Sequence, residues 1–344
     1  MNFYCGKAPI VLDSLLGLKE IKLKNGWHLY IDQGWQVTDD YAFKGIDSNW
    51  CKLDFSKNLK VTTNAYRHFP LYYHDLSVTN LIDSTDLLSA DGMVEWTNDK
   101  ANVKYQKDFY IDETKNKLDF TSSSKLLLDH LTDTIEKFAT ENNKTILIPA
   151  QNGLDTLTVR SVFDKLKIKY DFFTMQNKPI LSKVGKSLRD DHWGFNQIDE
   201  VDNAVIVTGF YGDEWVLRNP YYVNAILKHR NENVIDIFDS IDKCYMKKFF
   251  ENYRKKCAKQ KNYSFREVQE QICNDFQIWH LNNTYFFSPL KGKVLLNLLN
   301  ADTETIIQQV TDAKLSKSII EKCNPKLLSD LDDLKNQNDP YWFD

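Results

Sequence analysis

The sequence predicts an α+β chain in two parts. A β-rich N-terminal domain over residues 1–120 is followed by an α/β parallel-sheet domain over residues 121–344 with a helical C-terminal part. Three observations predict this. Up to residue 120, short alternating or aromatic segments recur between turn residues, as strands do. At Ser122 the apolar spacing changes from two to three and four, the period of a helix. Beyond Lys144, apolar runs alternate with helical patterns, which argues a parallel sheet covered by helices.

The N-terminal strand candidates are Ile21–Asp32, Trp50–Phe55, Leu59–Asn64, Phe69–Asp75, Ala101–Asp112 and Lys117–Ser122. Lys24-Asn25-Gly26-Trp27 reads as a hairpin, because Asn-Gly tolerates the positive φ angles of a type I′ turn. The stretch Ser122–Asn143 offers a Ser cap and apolar residues Leu126, Leu127, Leu131, Ile135 and Phe138 along one helical stripe. Lys144–Ala150 reads as a strand, Asp155–Leu166 as a helix, Tyr170–Met175 as a strand and Ala204–Gly209 as another. Between the last two lies a polar, basic loop, and from Pro220 onward the pattern is nearly all helical.

Composition narrows the function. The chain has 344 residues, 42% of them apolar and 13% aromatic, enough for a substantial core. Its formal charge of −4 gives no global attraction to nucleic acid or an anionic membrane. Its apolar runs fall far short of the roughly 20 residues that span a bilayer. A cytoplasmic protein with neither nucleic-acid nor membrane partners is expected. Cys5, Cys51, Cys244, Cys257, Cys273 and Cys323 form no CxxC pair, and the seven histidines show no paired-ligand spacing. The cysteines read mostly as small buried hydrophobes. The Lys-, Asn- and Ile-leaning composition would suit a small AT-rich genome such as that of a virus.

Two strand-to-helix turns carry the chemistry. In the first, Ala150-Gln151-Asn152-Gly153-Leu154-Asp155-Thr156, Gly153 lets backbone approach an anion and Asn152 tolerates left-handed conformations. Thr156 offers a hydroxyl to a phosphate oxygen, and Asp155 can hold a Mg²⁺ that bridges phosphates. In the second, Thr208-Gly209-Phe210-Tyr211-Gly212-Asp213-Glu214, two glycines flank the tip and two adjacent carboxylates open a helix. Each also has an ordinary reading, an Asn-Gly turn with an Asp cap or carboxylates favoured by a helix dipole. Their place at strand ends of an α/β sheet favours function.

These stretches carry a resemblance. NGLDT after ILIPA resembles the pyrophosphate loop SGGLDS of the ATP-pyrophosphatase superfamily. TGFYGDE resembles the GxGxDE motif of asparagine synthetases and β-lactam synthetases. Upstream, Leu59–Tyr73 with Pro70-Leu71-Tyr72-Tyr73 resembles the DRxGxxPLYY stretch of their amidotransferase-like domain. Leu281–Leu290, LNNTYFFSPL, is similar to their late segment ending in PF(L)D. The four occur in the family's order. The resemblance implies an amidotransferase-like domain, then an asparagine-synthetase-like nucleotide-binding domain. It implies ATP and Mg²⁺ held by Gln151, Asn152, Gly153, Asp155, Thr156, Gly209 and Gly212. Asp155, Asp213 and Glu214 would be catalytic, with Asp155 and Asp213 on the metal. The implied reaction is adenylation of a substrate carboxylate with pyrophosphate release, then capture by an amine. The strand ends near Ala150 and Met175 would flank adenine, with Lys183, Lys186 and Arg189 as further basic contributors. The implied partners are small carboxylate and amine substrates, and homo-oligomerisation is left open.

Three departures accompany it. Glutamine-dependent members place Cys directly after the initiator Met, whereas this chain has Asn2, so no glutaminase activity is expected. Gln151 and Asn152 replace the Ser and first Gly of the pyrophosphate loop. Phe210 and Tyr211 stand where GEGxDE has Glu and Gly, and Trp215–Asn219 replaces the GG that follows, with Arg218 as a candidate anion contact. Three readings stay open: a ligase without its own glutaminase, a non-catalytic relative acting as a binding or assembly module, and a generic nucleotide-binding fold.

Overall fold

The computed structural model describes residues 3–7, 18–24, 26–31, 34–46, 49–63, 71–75, 77–79, 86–106, 109–113, 117–149, 153–173, 204–232, 263–275 and 285–329. The N-terminal part is antiparallel β-structure. Its strands are β1 (Phe3–Gly6), β2 (Lys19–Lys22), β3 (His28–Ile31), β4 (Gln36–Val37), β5 (Tyr41–Ile46), β6 (Asn49–Asp54), β7 (Lys60–Thr63), β8 (Tyr72–His74), β9 (Ser77–Thr79), β10 (Asp86–Leu87), β11 (Gly92–Thr97) and β12 (Lys100–Tyr105). They form two six-stranded sheets, ordered β10-β8-β9-β1-β3-β2 and β12-β11-β7-β6-β5-β4.

Period-two alternation lets each strand turn one face inward. Phe3, Cys5, Leu29, Ile31 and Val78 of the first sheet share a core with Ala42, Cys51, Leu53, Val61, Val94 and Trp96 of the second. Trp27 meets Trp96 edge-on, ring centroids 5.7 Å apart, and the Trp96 indole N–H donates to the His74 carbonyl at 2.9 Å. Burial pushes the Cys5 thiol far up, so Cys5 is an inert core residue.

The β2–β3 hairpin differs from the expected two-residue type I′ turn. The Leu23 N–H donates to the Trp27 carbonyl at 2.8 Å, and the Gly26 N–H to the Leu23 carbonyl at 3.1 Å. A three-residue loop therefore closes it, with the positive φ of 80° on Gly26. Asn25 lies outside the described residues.

The second part is a four-stranded parallel sheet with helices. Its strands are β13 (Thr145–Pro149), β14 (Asp171–Phe173), β15 (Ala204–Val207) and β16 (Tyr285–Phe287), in the order β14-β13-β15-β16. All four residues of β15 are buried, as an inner strand covered on both faces requires. β16 falls where a helical pattern was expected; three apolar aromatic residues are too short a run to show a period. The helices are α1 (Phe120–Glu141), α2 (Leu154–Leu166), α3 (Gly212–Trp215), α4 (Pro220–His229), α5 (Phe265–Cys273), α6 (Thr303–Asp312) and α7 (Lys314–Cys323), with a 3-10 helix over Lys293–Asn300 before α6.

α1 buries Leu127, Leu131, Ile135 and Phe138, the expected stripe, while Leu126 is only half-buried. Its cap is Asp119, whose side chain accepts from the Ser122 N–H, so the helix starts two residues before the expected serine. Phe138 stacks on Phe287 of β16 at 4.0 Å and 6°. The second core begins before residue 120, because Phe109 and Ile111 belong to it and Leu118 bridges Ala301. Among the described residues, no helix is long and apolar enough to cross a membrane.

Candidate functional site

The sheet order places β13 and β15 side by side, with β14 beyond one and β16 beyond the other. The polypeptide leaving β13 goes to the outer strand β14 through α2, whereas that leaving β15 goes the other way. That divergence is a topological switch point, where parallel sheets open a crevice at their carboxyl ends. The described residues of both singled-out turns, 153–156 and 208–214, sit there.

Their contact is intimate. A Cβ on Gly209 would lie 2.4 Å from the carbonyl carbon of Asp155 and 2.4 Å from the amide nitrogen of Thr156. A Cβ on Gly212 would lie 2.2 Å from Asp155 Cγ and 2.4 and 2.7 Å from its carboxylate oxygens. Only glycine allows the second turn to rest on the first turn of α2. Gly153 is the N-cap of α2, and that end carries no side-chain cap. Thr156 is half-buried in the same first turn. Gln151 and Asn152, the strand ends at Ala150 and Met175, and Lys183, Lys186 and Arg189 lie outside the described residues.

The second turn is held in an unusual backbone shape. Tyr211 has φ 70° and ψ 0°, and Leu217 has φ 58°, both left-handed and both buried. Such conformations cost non-glycine residues of order 1–3 kcal/mol and persist only when the surroundings enforce them. The enforcing contacts are visible. Ser288 Oγ donates to the Phe210 carbonyl at 2.6 Å, and the Thr208 N–H donates to the Phe287 carbonyl at 2.9 Å. The Arg218 and Asn219 N–H groups both donate to the Asp213 carbonyl, at 2.9 and 2.6 Å.

Asp155 and Asp213 meet across Arg218. Arg218 Nη1 donates to Asp155 Oδ1 at 2.6 Å and lies 3.4 Å from Asp213 Oδ1, with all three side chains about one-fifth exposed. Burial raises the Asp155 carboxyl to about 6; the Arg218 charge opposes this and the Asp213 charge adds to it. Glu214 lies deeper, 2% exposed, and its Oε2 atom has no hydrogen-bond partner among the described residues. Burial, then the charges of Asp213 and Asp275, hold it well above the ordinary carboxylate range. Glu214 thus sits in a setting that disfavours its charged form, next to the more exposed Asp155 and Asp213.

A second cation lies beneath the turn. Lys291 is 1% exposed, with Nζ 3.2 Å from the Asp275 carbonyl and 3.4 Å from the Cys273 carbonyl. The same Nζ lies 4.6 Å from the Tyr211 ring centroid and 5.8 Å from that of Trp215. Sequence reasoning missed Lys291. Its one signal was position: it directly follows the Leu281–Leu290 stretch singled out in the sequence.

Among the described residues, no group of three or more His, Cys, Asp and Glu side chains could hold a metal by itself. Asp155 and Asp213 supply two carboxylates, which suits Mg²⁺, an ion commonly held by one or two carboxylates together with substrate phosphates. No protein-family model matches the sequence, and no curated protein matches it.

Proposed function

We propose that the protein is an asparagine-synthetase-like ligase that activates a substrate carboxylate with ATP, releases pyrophosphate and passes the acyl group to an amine, without its own glutaminase. The observation that carries this reading is the seating of Gly209 and Gly212 on Asp155 at the switch point. Two motif-bearing turns, far apart in sequence, form one site there. Backbone shape supports it further. Tyr211 stands where GxGxDE has its second glycine, and it takes a left-handed conformation that glycine would take freely. Leu217, within the stretch replacing GG, does the same.

In this reading the uncapped N-terminus of α2 meets the polyphosphate, with Gly153 and Thr156 closest. Asp155 and Asp213 would hold Mg²⁺, which neutralises polyphosphate charge when bound. Glu214 is held above the ordinary carboxylate range by its burial, and Lys291 fixes the turn from below through Tyr211 and Trp215. The fully buried Cys5 leaves the β-rich part a structural rather than a glutamine-hydrolysing role. By the family resemblance, that part would be the amidotransferase-like domain.

A specific observation favours a second reading, a non-catalytic relative retained for binding or assembly. Arg218 already offsets one of the two carboxylate charges, which weakens the pair's demand for a metal. A thermal-shift titration with Mg²⁺–ATP separates the two. A ligand at about 100 times its dissociation constant stabilises the fold by roughly 2.7 kcal/mol, a shift of several degrees. The ligase reading expects that shift in the wild type and its loss in Asp155→Asn with Asp213→Asn. Absence of a shift at millimolar ATP would leave the binding-module reading.

A further inference from the structure

We propose that Arg218 is a built-in counter-ion that competes with a divalent cation for the Asp155–Asp213 carboxylate pair. The resting protein therefore holds the guanidinium there and binds free Mg²⁺ weakly. The inference deepens the proposed function and rests on it for the identity of the cation.

One nitrogen, Arg218 Nη1, faces both carboxylates, at 2.6 Å from Asp155 Oδ1 and 3.4 Å from Asp213 Oδ1. That is the place a bridging cation takes. A Mg²⁺ ion sits about 2.0–2.1 Å from its oxygens and needs the lone pairs that the guanidinium engages. The two cations are therefore alternatives rather than neighbours, since their charges would also repel at that separation.

The surroundings permit the exchange. The backbone at Arg218 is fixed by its N–H bond to the Asp213 carbonyl and follows the left-handed Leu217, so only the side chain needs to move. That side chain is 21% exposed and has solvent to move into. Asp155 cannot follow it, because Gly212 packs directly against the Asp155 carboxylate. The carboxylates stay while the cation changes.

The test is a Mg²⁺ titration without nucleotide, read by calorimetry and by melting temperature, on the full-length protein. Wild type is expected to bind Mg²⁺ weakly and to melt at the same temperature with or without millimolar Mg²⁺. In Arg218→Ala the affinity is expected to tighten roughly tenfold to a hundredfold, the equivalent of one charge-assisted hydrogen bond. Adding Asp213→Asn should remove that gain and so locate it. Arg218→Gln, which keeps most of the side chain without its charge, is expected to respond likewise and covers a misfolded alanine variant. Tight Mg²⁺ binding by wild type, or equal affinity in wild type and both Arg218 variants, would overturn the proposal. Because no nucleotide is present, a missing ATP shift would count against the ligase reading and leave this result standing.

Discussion

Two glycines at the paired turns have opposite tolerances, and the difference is testable. Gly209 faces backbone atoms of Asp155 and Thr156, which cannot yield without moving the start of α2. Gly209→Ala is expected to destabilise at or above the upper end of the ~1–3 kcal/mol typical of overpacking. Gly153 is the opposite case. Among the described residues nothing lies within 4 Å of its would-be Cβ, and φ −63° with ψ 135° suits any residue. Gly153→Ser is expected to stabilise by about 0.5–1 kcal/mol, through a better N-cap and a less free unfolded chain. Urea melts of both variants check the pair; equal destabilisation would show that the turns do not touch. Gly153→Asp should keep the fold yet abolish any ATP shift, because its charge would face the phosphates.

The residues at these turns were legible in the sequence, but their electrostatic partners were not. Asp155 and Asp213 stood out because each follows an apolar run and a glycine. Arg218 stood out only as an anion contact. Its bridge to Asp155 spans 63 residues of sequence, and no local pattern encodes a distance of that kind. Lys291 was invisible for the same reason: a single lysine after Pro-Leu looks like surface until the Tyr211 and Trp215 rings close over it.

At the scale of elements, α1, α2, β13 and β15 were readable because their period is local and sustained, whereas β16 was too short. The turn after β16 nevertheless sets a titration. His130 of α1 has Nε2 2.9 Å from the Pro289 carbonyl, and its ring packs where a Cβ on Gly292 would lie 2.7 Å from Cε1. Burial lowers the basicity of this imidazole, with the Pro289 carbonyl and the Asp133 charge opposing. The folded state therefore prefers neutral His130, while the unfolded chain takes up a proton near the ordinary value of about 6.5. Stability from this group is present above that value and is lost as pH falls through it toward the lower folded value. Wild type is thus expected to lose more stability than His130→Gln between about pH 7 and about pH 5.5. Parallel pH curves for the two proteins would sink this account.

At the scale of the whole molecule, the segments that follow the antiparallel strands are fastened into the second core by a few side-chain bonds. Asn274 Oδ1 accepts from the Ala90 N–H at 2.8 Å, and Asn300 Nδ2 donates to the Asp112 carbonyl at 2.9 Å. Gln269 of α5 does most, taking the Ile111 N–H on Oε1 at 2.8 Å and giving its Nε2–H to the Ile111 carbonyl at 3.1 Å. Gln269 is 1% exposed, so water cannot replace either bond. Gln269→Leu would orphan a buried N–H and a buried carbonyl together, which is expected to destabilise the second core by about 2–4 kcal/mol. The antiparallel core has its own packing around Leu53, Val94 and Trp96, so it should keep its protection. Amide hydrogen exchange resolves the two: Ile111 is expected to exchange faster in Gln269→Leu, with Leu53 and Val94 unchanged. Equal loosening of all three amides would mean that the protein unfolds as one cooperative unit, with α5 holding both cores rather than pinning Ile111 to the second.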